Sequence, residues 1–109
     1  MRVSRIDHVH LEVADRDVSA EWYSRILGLE RSNELGIWAQ DPMGPLILTA
    51  GDGNPALSLF ARKSKAISRD TTIAFRTSGE EFLVFCDNLE DMEIRDKSGR
   101  KLTKAGIID

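Results

Sequence analysis

The sequence predicts an α+β domain in which short strands and two capped amphipathic helices follow one another in a repeated order. Three observations carry this reading. Arg5 to Val13 alternates as a strand does, and helical periodicity follows it directly. After Gly28 come several short β-like runs separated by Gly- and Pro-containing turns. Near Thr71 the strand-then-helix order starts again.

In the first strand Val9, Leu11 and Val13 alternate with His8, His10 and Glu12, giving one apolar and one polar face. Asp15-Arg16-Asp17 then supplies N-cap candidates, because a short carboxylate placed before a first helical turn accepts from its unpaired N–H groups. Val18, Trp22 and Ile26 recur at helical spacing, and Gly28 is the expected stop. The stripes Val9, Leu11, Val13 and Trp22, Ile26 are expected to meet as a core, with Glu21 and Arg25 paired on the wet side of the helix. Leu29 to Ser32, Ile37 to Gln40 and Leu46 to Ala50 read as β-like runs, the first two as one bent strand or hairpin. Ala56 to Arg62 closes this part, with Leu57, Leu59 and Ala61 on one face and Ser58, Phe60 and Arg62 on the other.

Lys63 to Arg69 is polar and without period, and reads as a linker. Thr71 to Thr77 is expected to be a strand, with Ile73 and Phe75 on one face and Thr72, Ala74 and Arg76 on the other. Ser78-Gly79-Glu80-Glu81 has the form of a capping box and opens a helix through Phe82, Phe85, Cys86 and Leu89. Met92 to Arg95 is expected as one more strand, and Lys97 to Arg100 as a tight turn. His8–Val13 superposes on Thr72–Thr77 with its apolar positions in register, and a capped helix follows each. The first copy has about thirty-four residues after Gly28 in which to return to the sheet, whereas twenty remain after Leu89. The expected organisation is therefore a first module over about 1–64 and an incomplete second module over about 65–109.

Composition removes several function classes. An apolar fraction of 41% and a charged fraction of 30% are those of an ordinary globular domain. A formal charge of -3, with no dense Lys/Arg cluster, argues against nucleic acid as a partner. Neither a secretory h-region nor a membrane-spanning apolar stretch is present, so the expected location is cytoplasmic. The lone Cys86 forms no internal disulfide and reads as a buried core thiol. No phosphate-binding loop, dinucleotide fingerprint or nucleophile elbow is found.

Ile6-Asp7-His8-Val9-His10-Leu11-Glu12-Val13-Ala14-Asp15, then Glu21-Trp22-Tyr23 and Leu27-Gly28-Leu29, resembles the opening of vicinal-oxygen-chelate domains, the glyoxalase, bleomycin-resistance and extradiol-dioxygenase superfamily. Ile73-Ala74-Phe75-Arg76 is similar to the strand opening that superfamily's second module, so the resemblance covers essentially the whole chain. It implies two βαβββ modules curving around a shared cavity, here with the second module truncated, and a homodimer that completes the cavity. It also implies where metal ligands belong. Metal-dependent members use a histidine on the first strand, a carboxylate or amide on the last strand of the first module, a histidine opening the second module and a glutamate on the final strand, a mixed set suited to a divalent ion. His8 holds the first position, Ser58 and Thr72 stand at the second and third, and the fourth lies beyond Asp109. No metal cofactor is therefore expected, and His8 is the ligand to test if one is present.

The same resemblance makes His8, His10, Ser58, Phe60 and Thr72 the expected ligand-binding residues. Glu12, Arg62 and Arg76, nearer strand ends, are as well explained by solvation. Along a strand His8 and His10 stand about 7 Å apart from a rise of ~3.4 Å per residue. His10 with Glu12 is the candidate acid–base pair. Three functions remain open: metal-free binding of a small aromatic or amphipathic molecule, a divalent-metal-dependent lyase, epimerase, dioxygenase or thiol transferase with an atypical site, and a vestigial or structural domain.

Overall fold

The computed structural model describes residues 1–62, 72–96 and 98–108. The expected linker over 63–69 lies outside them, as do Thr71 and Lys97. The chain divides into two compact units, Met1–Thr71 and Thr72–Asp109.

The first unit runs β1 (Val9–Val13), α1 (Arg16–Leu27), β2 (Glu30–Arg31), a 3-10 helix (Gly36–Gln40), β3 (Leu46–Thr49) and β4 (Pro55–Ala61). Its strands form one sheet in the order β1-β4-β3-β2, with β1 parallel to β4 and the other pairs antiparallel. The α/β alternation explains the parallel pair: the chain leaves β1, crosses through α1, fills the far side of the sheet and returns beside β1. Register sets Leu57 between Val9 and Leu48, and Leu59 between Leu11 and Leu46. Pleating sends those side chains to one face, where α1 packs on the sheet. Leu46, Leu48, Leu57 and Leu59 are buried there, as are Ala20, Ile26 and Leu29.

The ends of α1 are where the sequence puts them. The Asp15 side chain accepts from Val18 N–H at 3.0 Å, and Gly28 takes the left-handed conformation, φ 69°, that lets its N–H reach back to Ser24 O. The buried face differs from the expected one. Ala20 and Ile26 are buried, Arg16, Ser19 and Tyr23 are half-buried, and Val18 and Trp22 are exposed. The difference is one of rotation: the buried and half-buried residues Ser19, Ala20, Tyr23 and Ile26 define a face centred near Tyr23, which leaves Trp22 about 100° and Val18 about 140° away from its centre at about 100° per residue. Trp22 instead meets Tyr23 edge-on, ring centroids 5.2 Å apart.

The expected β-like run at Ile37 to Gln40 is a 3-10 helix, and no hairpin forms with Leu29 to Ser32. Arg16 holds this segment and the turn after it: its guanidinium donates to the carbonyls of Ala39 (2.9 Å), Asp41 (3.1 Å) and Gly44 (2.6 Å), so the Ala39 carbonyl is engaged by a side chain instead of a ladder. Gly44 is required at its place, since a Cβ there would stand 2.5 Å from Trp38 O.

In the second unit α2 (Gly79–Met92) has Ser78 as N-cap, its Oγ accepting from Glu81 N–H at 3.1 Å as the capping-box pattern predicts. Cys86 and Leu89 are its buried residues. Neither of the two expected strands forms among the described residues. Residues 72–78 have no regular structure, and α2 continues to Met92 before Glu93 breaks it with φ 51°. A strand exists only as part of a ladder, and the pairing among the described residues of this unit is a single bridge, Arg95 with Lys101. The turn between them is held by the Asp96 carboxylate, which accepts from the N–H groups of Ser98 (2.8 Å) and Arg100 (3.0 Å). A short α3 (Lys104–Ile108) packs on α2 and is tied to it by Lys104 Nζ and Asp87 at 2.6 Å.

Candidate functional site

The parallel register of β1 and β4 builds a polar cluster on the face opposite the leucine core. His10 stands beside Ser58, and Glu12 beside Phe60, with each residue's neighbours in its own strand pointing the other way. The ladder is extended by Arg62 N–H donating to Val13 O at 2.8 Å, which fixes where the Arg62 side chain leaves the backbone. Five residues from two strands thereby share a patch.

Within it the imidazole of His10 lies over the ring of Phe60, centroids 4.1 Å apart and planes 16° from parallel. These residues are diagonal neighbours across the strand pair, a spacing that flat side chains bridge by leaning toward each other. Glu12 Oε2 accepts from Arg62 Nε at 2.8 Å, while Glu12 Oε1 stands 3.7 Å from His10 Nε2. The carboxylate is thus shared between a guanidinium in hydrogen-bond contact and an imidazole just beyond it. Ser58 is buried at 2% exposure between the flanking strands, whereas His10 is exposed.

Of the sequence-predicted residues, His10, Ser58 and Phe60 are brought together, and Glu12 and Arg62 join them. His8 is not carried into this cluster by the strand. The ladder begins with Val9 paired to Leu57, so His8 lies one step before it, exposed, with Nδ1 2.8 Å from Asp7 Oδ2. Thr72 and Arg76 belong to the second unit, where both are exposed.

The donors do not fit the ligand set implied by the resemblance. Ser58, a weak ligand in any case, neighbours His10 rather than His8. Glu12 already faces a guanidinium, a fixed positive charge that opposes a divalent cation at the same oxygens. Among the described residues no three of His, Cys, Asp and Glu gather as a coordination group.

Two features escaped the sequence. The Glu12–Arg62 pair spans 50 positions and depends on a parallel register that no local pattern encodes. Arg16 enters the sequence reading only within the Asp15-Arg16-Asp17 capping segment, yet it is the clamp of the 3-10 segment. A separate groove lined by Ala20, Glu21, Ser24, Arg25, Glu30 and Arg31 lies along α1 and β2, on the helix side of the sheet. Tyr23, nearby, has its phenol pushed up by burial and stays protonated at neutral pH.

The family model described as Glyoxalase/Bleomycin resistance protein/Dioxygenase superfamily matches residues 5–106. No curated protein and no solved structure gives a match.

Proposed function

The chain belongs to the Glyoxalase/Bleomycin resistance protein/Dioxygenase superfamily, and we propose that it is a metal-free domain that binds a small planar molecule against the polar face of β1 and β4. The observation that carries this reading is the His10–Phe60 stack. Two flat rings held parallel on a rigid sheet form a platform that a third ring extends with little ordering cost, and an aromatic contact of this kind contributes about 0.5–1.5 kcal/mol beyond its burial. Ser58 adds a hydroxyl at the floor of the patch, and Glu12 with Arg62 adds polar groups at its rim. The mismatch between these donors and a divalent-metal ligand set supports a binding role over Lewis-acid chemistry.

The test is a titration with planar aromatic compounds, followed by NMR at His10 and by thermal shift. Saturable binding that Phe60→Ala weakens supports the proposal. Undiminished binding to Phe60→Ala excludes the platform, and absence of binding across the panel favours a structural or vestigial domain.

A second reading, an enzyme in which His10 is a general base, is favoured by one distance, the 3.7 Å from His10 Nε2 to Glu12 Oε1. In that case His10→Gln lowers turnover by far more than it weakens ligand binding. We also propose that the second unit is a partial counterpart of the first, since α2 like α1 has a side-chain N-cap and a left-handed C-cap. A homodimer is proposed because α2 leaves the apolar side chains Phe82, Leu83 and Val84 exposed around more than one of its sides. No helix among the described residues is long and apolar enough to cross a membrane. A cytoplasmic location is proposed on the single unpaired, buried Cys86.

A further inference from the structure

We infer that the molecule taken by this patch carries an anionic group, a carboxylate or a group of like charge attached to its ring system, and that Arg62 receives it. The inference rests on the binding role proposed above and specifies its ligand class. It follows from how the ion pair at the rim is arranged. The pair is asymmetric in exposure: the Arg62 side chain is 52% exposed and the Glu12 side chain 32%. It is also asymmetric in use. Both carboxylate oxygens are directed at protein groups, Oε2 at Arg62 Nε and Oε1 toward His10 Nε2. The guanidinium engages Glu12 through Nε, so the contact does not use its Nη pair.

A guanidinium held from the side in this way keeps its planar fork oriented, and the Nη donors match the two oxygens of an incoming carboxylate. A cationic ligand meets the opposite situation, because it must compete with Arg62 for a carboxylate that is the more buried member. Glu12 therefore acts as the positioning residue and Arg62 as the contact residue. The stack on Phe60 sets the plane of the ligand's ring, and both features come from one pair of adjacent strands, so ring and charge are read by a single rigid element.

The experiment compares three probes of one ring system, 2-naphthoate, 2-naphthol and 2-naphthylmethylammonium, by calorimetry and NMR titration at low salt on the full chain. The expected order places the naphthoate about tenfold tighter than the naphthol, with the ammonium weakest, as suits one charge-assisted contact at a half-exposed site. Arg62→Gln is expected to remove the preference for naphthoate while leaving naphthol affinity within about twofold. Arg62→Lys, which keeps the charge without the fork, is expected to keep a small part of it. Arg25→Gln, on α1, controls for a general charge effect and is expected to change nothing. Equal affinity for naphthoate and naphthol, or a naphthoate preference that survives Arg62→Gln, overturns this inference and leaves the planar-ligand reading standing. Failure of all three probes, on a chain shown to be folded, overturns that reading and this inference with it.

Discussion

Arg16→Met tests how the loop beside the sheet is held. The substitution keeps the aliphatic stem and removes the guanidinium, so three carbonyls lose a charged donor. The Asp41 contact is exposed and water replaces it, whereas those to Gly44 and Ala39, at 2.6 and 2.9 Å, are part-buried. Two partly buried bonds from a charged donor, each worth about 1.5 kcal/mol net, give an expected loss of about 3 kcal/mol. Arg16→Lys should lose roughly half as much, because one ammonium cannot serve three acceptors in a fork geometry. Urea denaturation followed by far-UV circular dichroism measures the global cost. Hydrogen exchange localises it: the amide of Gly44, bonded to Asp41 O at 2.9 Å, should lose protection before the β3–β4 amides do. A stability of Arg16→Met within about 0.5 kcal/mol of wild type would refute this role of Arg16. In that event the carbonyls are hydrated in the native state and the 3-10 segment holds itself.

Leu59→Ala, at a fully buried position between Leu11 and Leu46, is expected to cost about 2–5 kcal/mol by its denaturation midpoint. Leu11→Ala should cost less, because Leu11 is half-buried on the outermost strand; the reverse ranking would mean that the faces of β1 are misassigned. Elemental analysis after chelator-free purification is expected to find far less than one Zn, Ni, Mn or Fe per chain, and a stoichiometric metal lost on His8→Ala would refute the metal-free proposal. Hydrogen bonds from Ser98 and from the Arg100 N–H hold the Asp96 carboxyl below its ordinary value of 3.8. A lowered folded-state value means stability present above the ordinary carboxylate range and lost as pH falls through the folded value, so Asp96→Asn should flatten the acid limb of an unfolding profile that the wild type shows. Light scattering over a concentration series is expected to give twice the 12.2 kDa chain mass, and a constant monomer mass with cooperative unfolding would exclude the dimer.

Much of the first unit was legible because its signals are local. Asp15 and Gly28 delimit α1 through caps that a few adjacent residues encode, and Leu57, Leu59 and Ala61 alternate on β4 as a half-buried strand must. Local signals fail where the outcome depends on a distant partner. Ile37 to Gln40 has strand-like residues, but Arg16, more than twenty positions earlier, takes the Ala39 carbonyl at 2.9 Å. Thr72 to Thr77 has the alternation of a strand without a ladder in its own unit to join, so propensity alone leaves it irregular. Spacing groups Trp22 with Val18 and Ile26, but which way the helix is turned depends on the sheet it meets, and the face that packs is centred near Tyr23.

The site divides along the same line. Which residues share a face follows from alternation, so His10, Glu12, Ser58 and Phe60 were recoverable as polar-face positions of two strands. Which of them touch follows from register, and a shift of one residue would reverse the chemistry. With Val9 opposite Leu57, both strands send their apolar residues to the core and His10 falls beside Ser58. Slipping β4 by one would place Leu57 and Leu59 on the polar face and remove the stack at 4.1 Å together with the Glu12–Arg62 contact at 2.8 Å. The leucine core therefore does more than stabilise the sheet. By burying Leu57 and Leu59 it excludes every odd slip of the strand pair and so keeps His10, Glu12, Ser58, Phe60 and Arg62 on one face, where Val9 opposite Leu57 then sets Phe60 under His10 and Arg62 against Glu12.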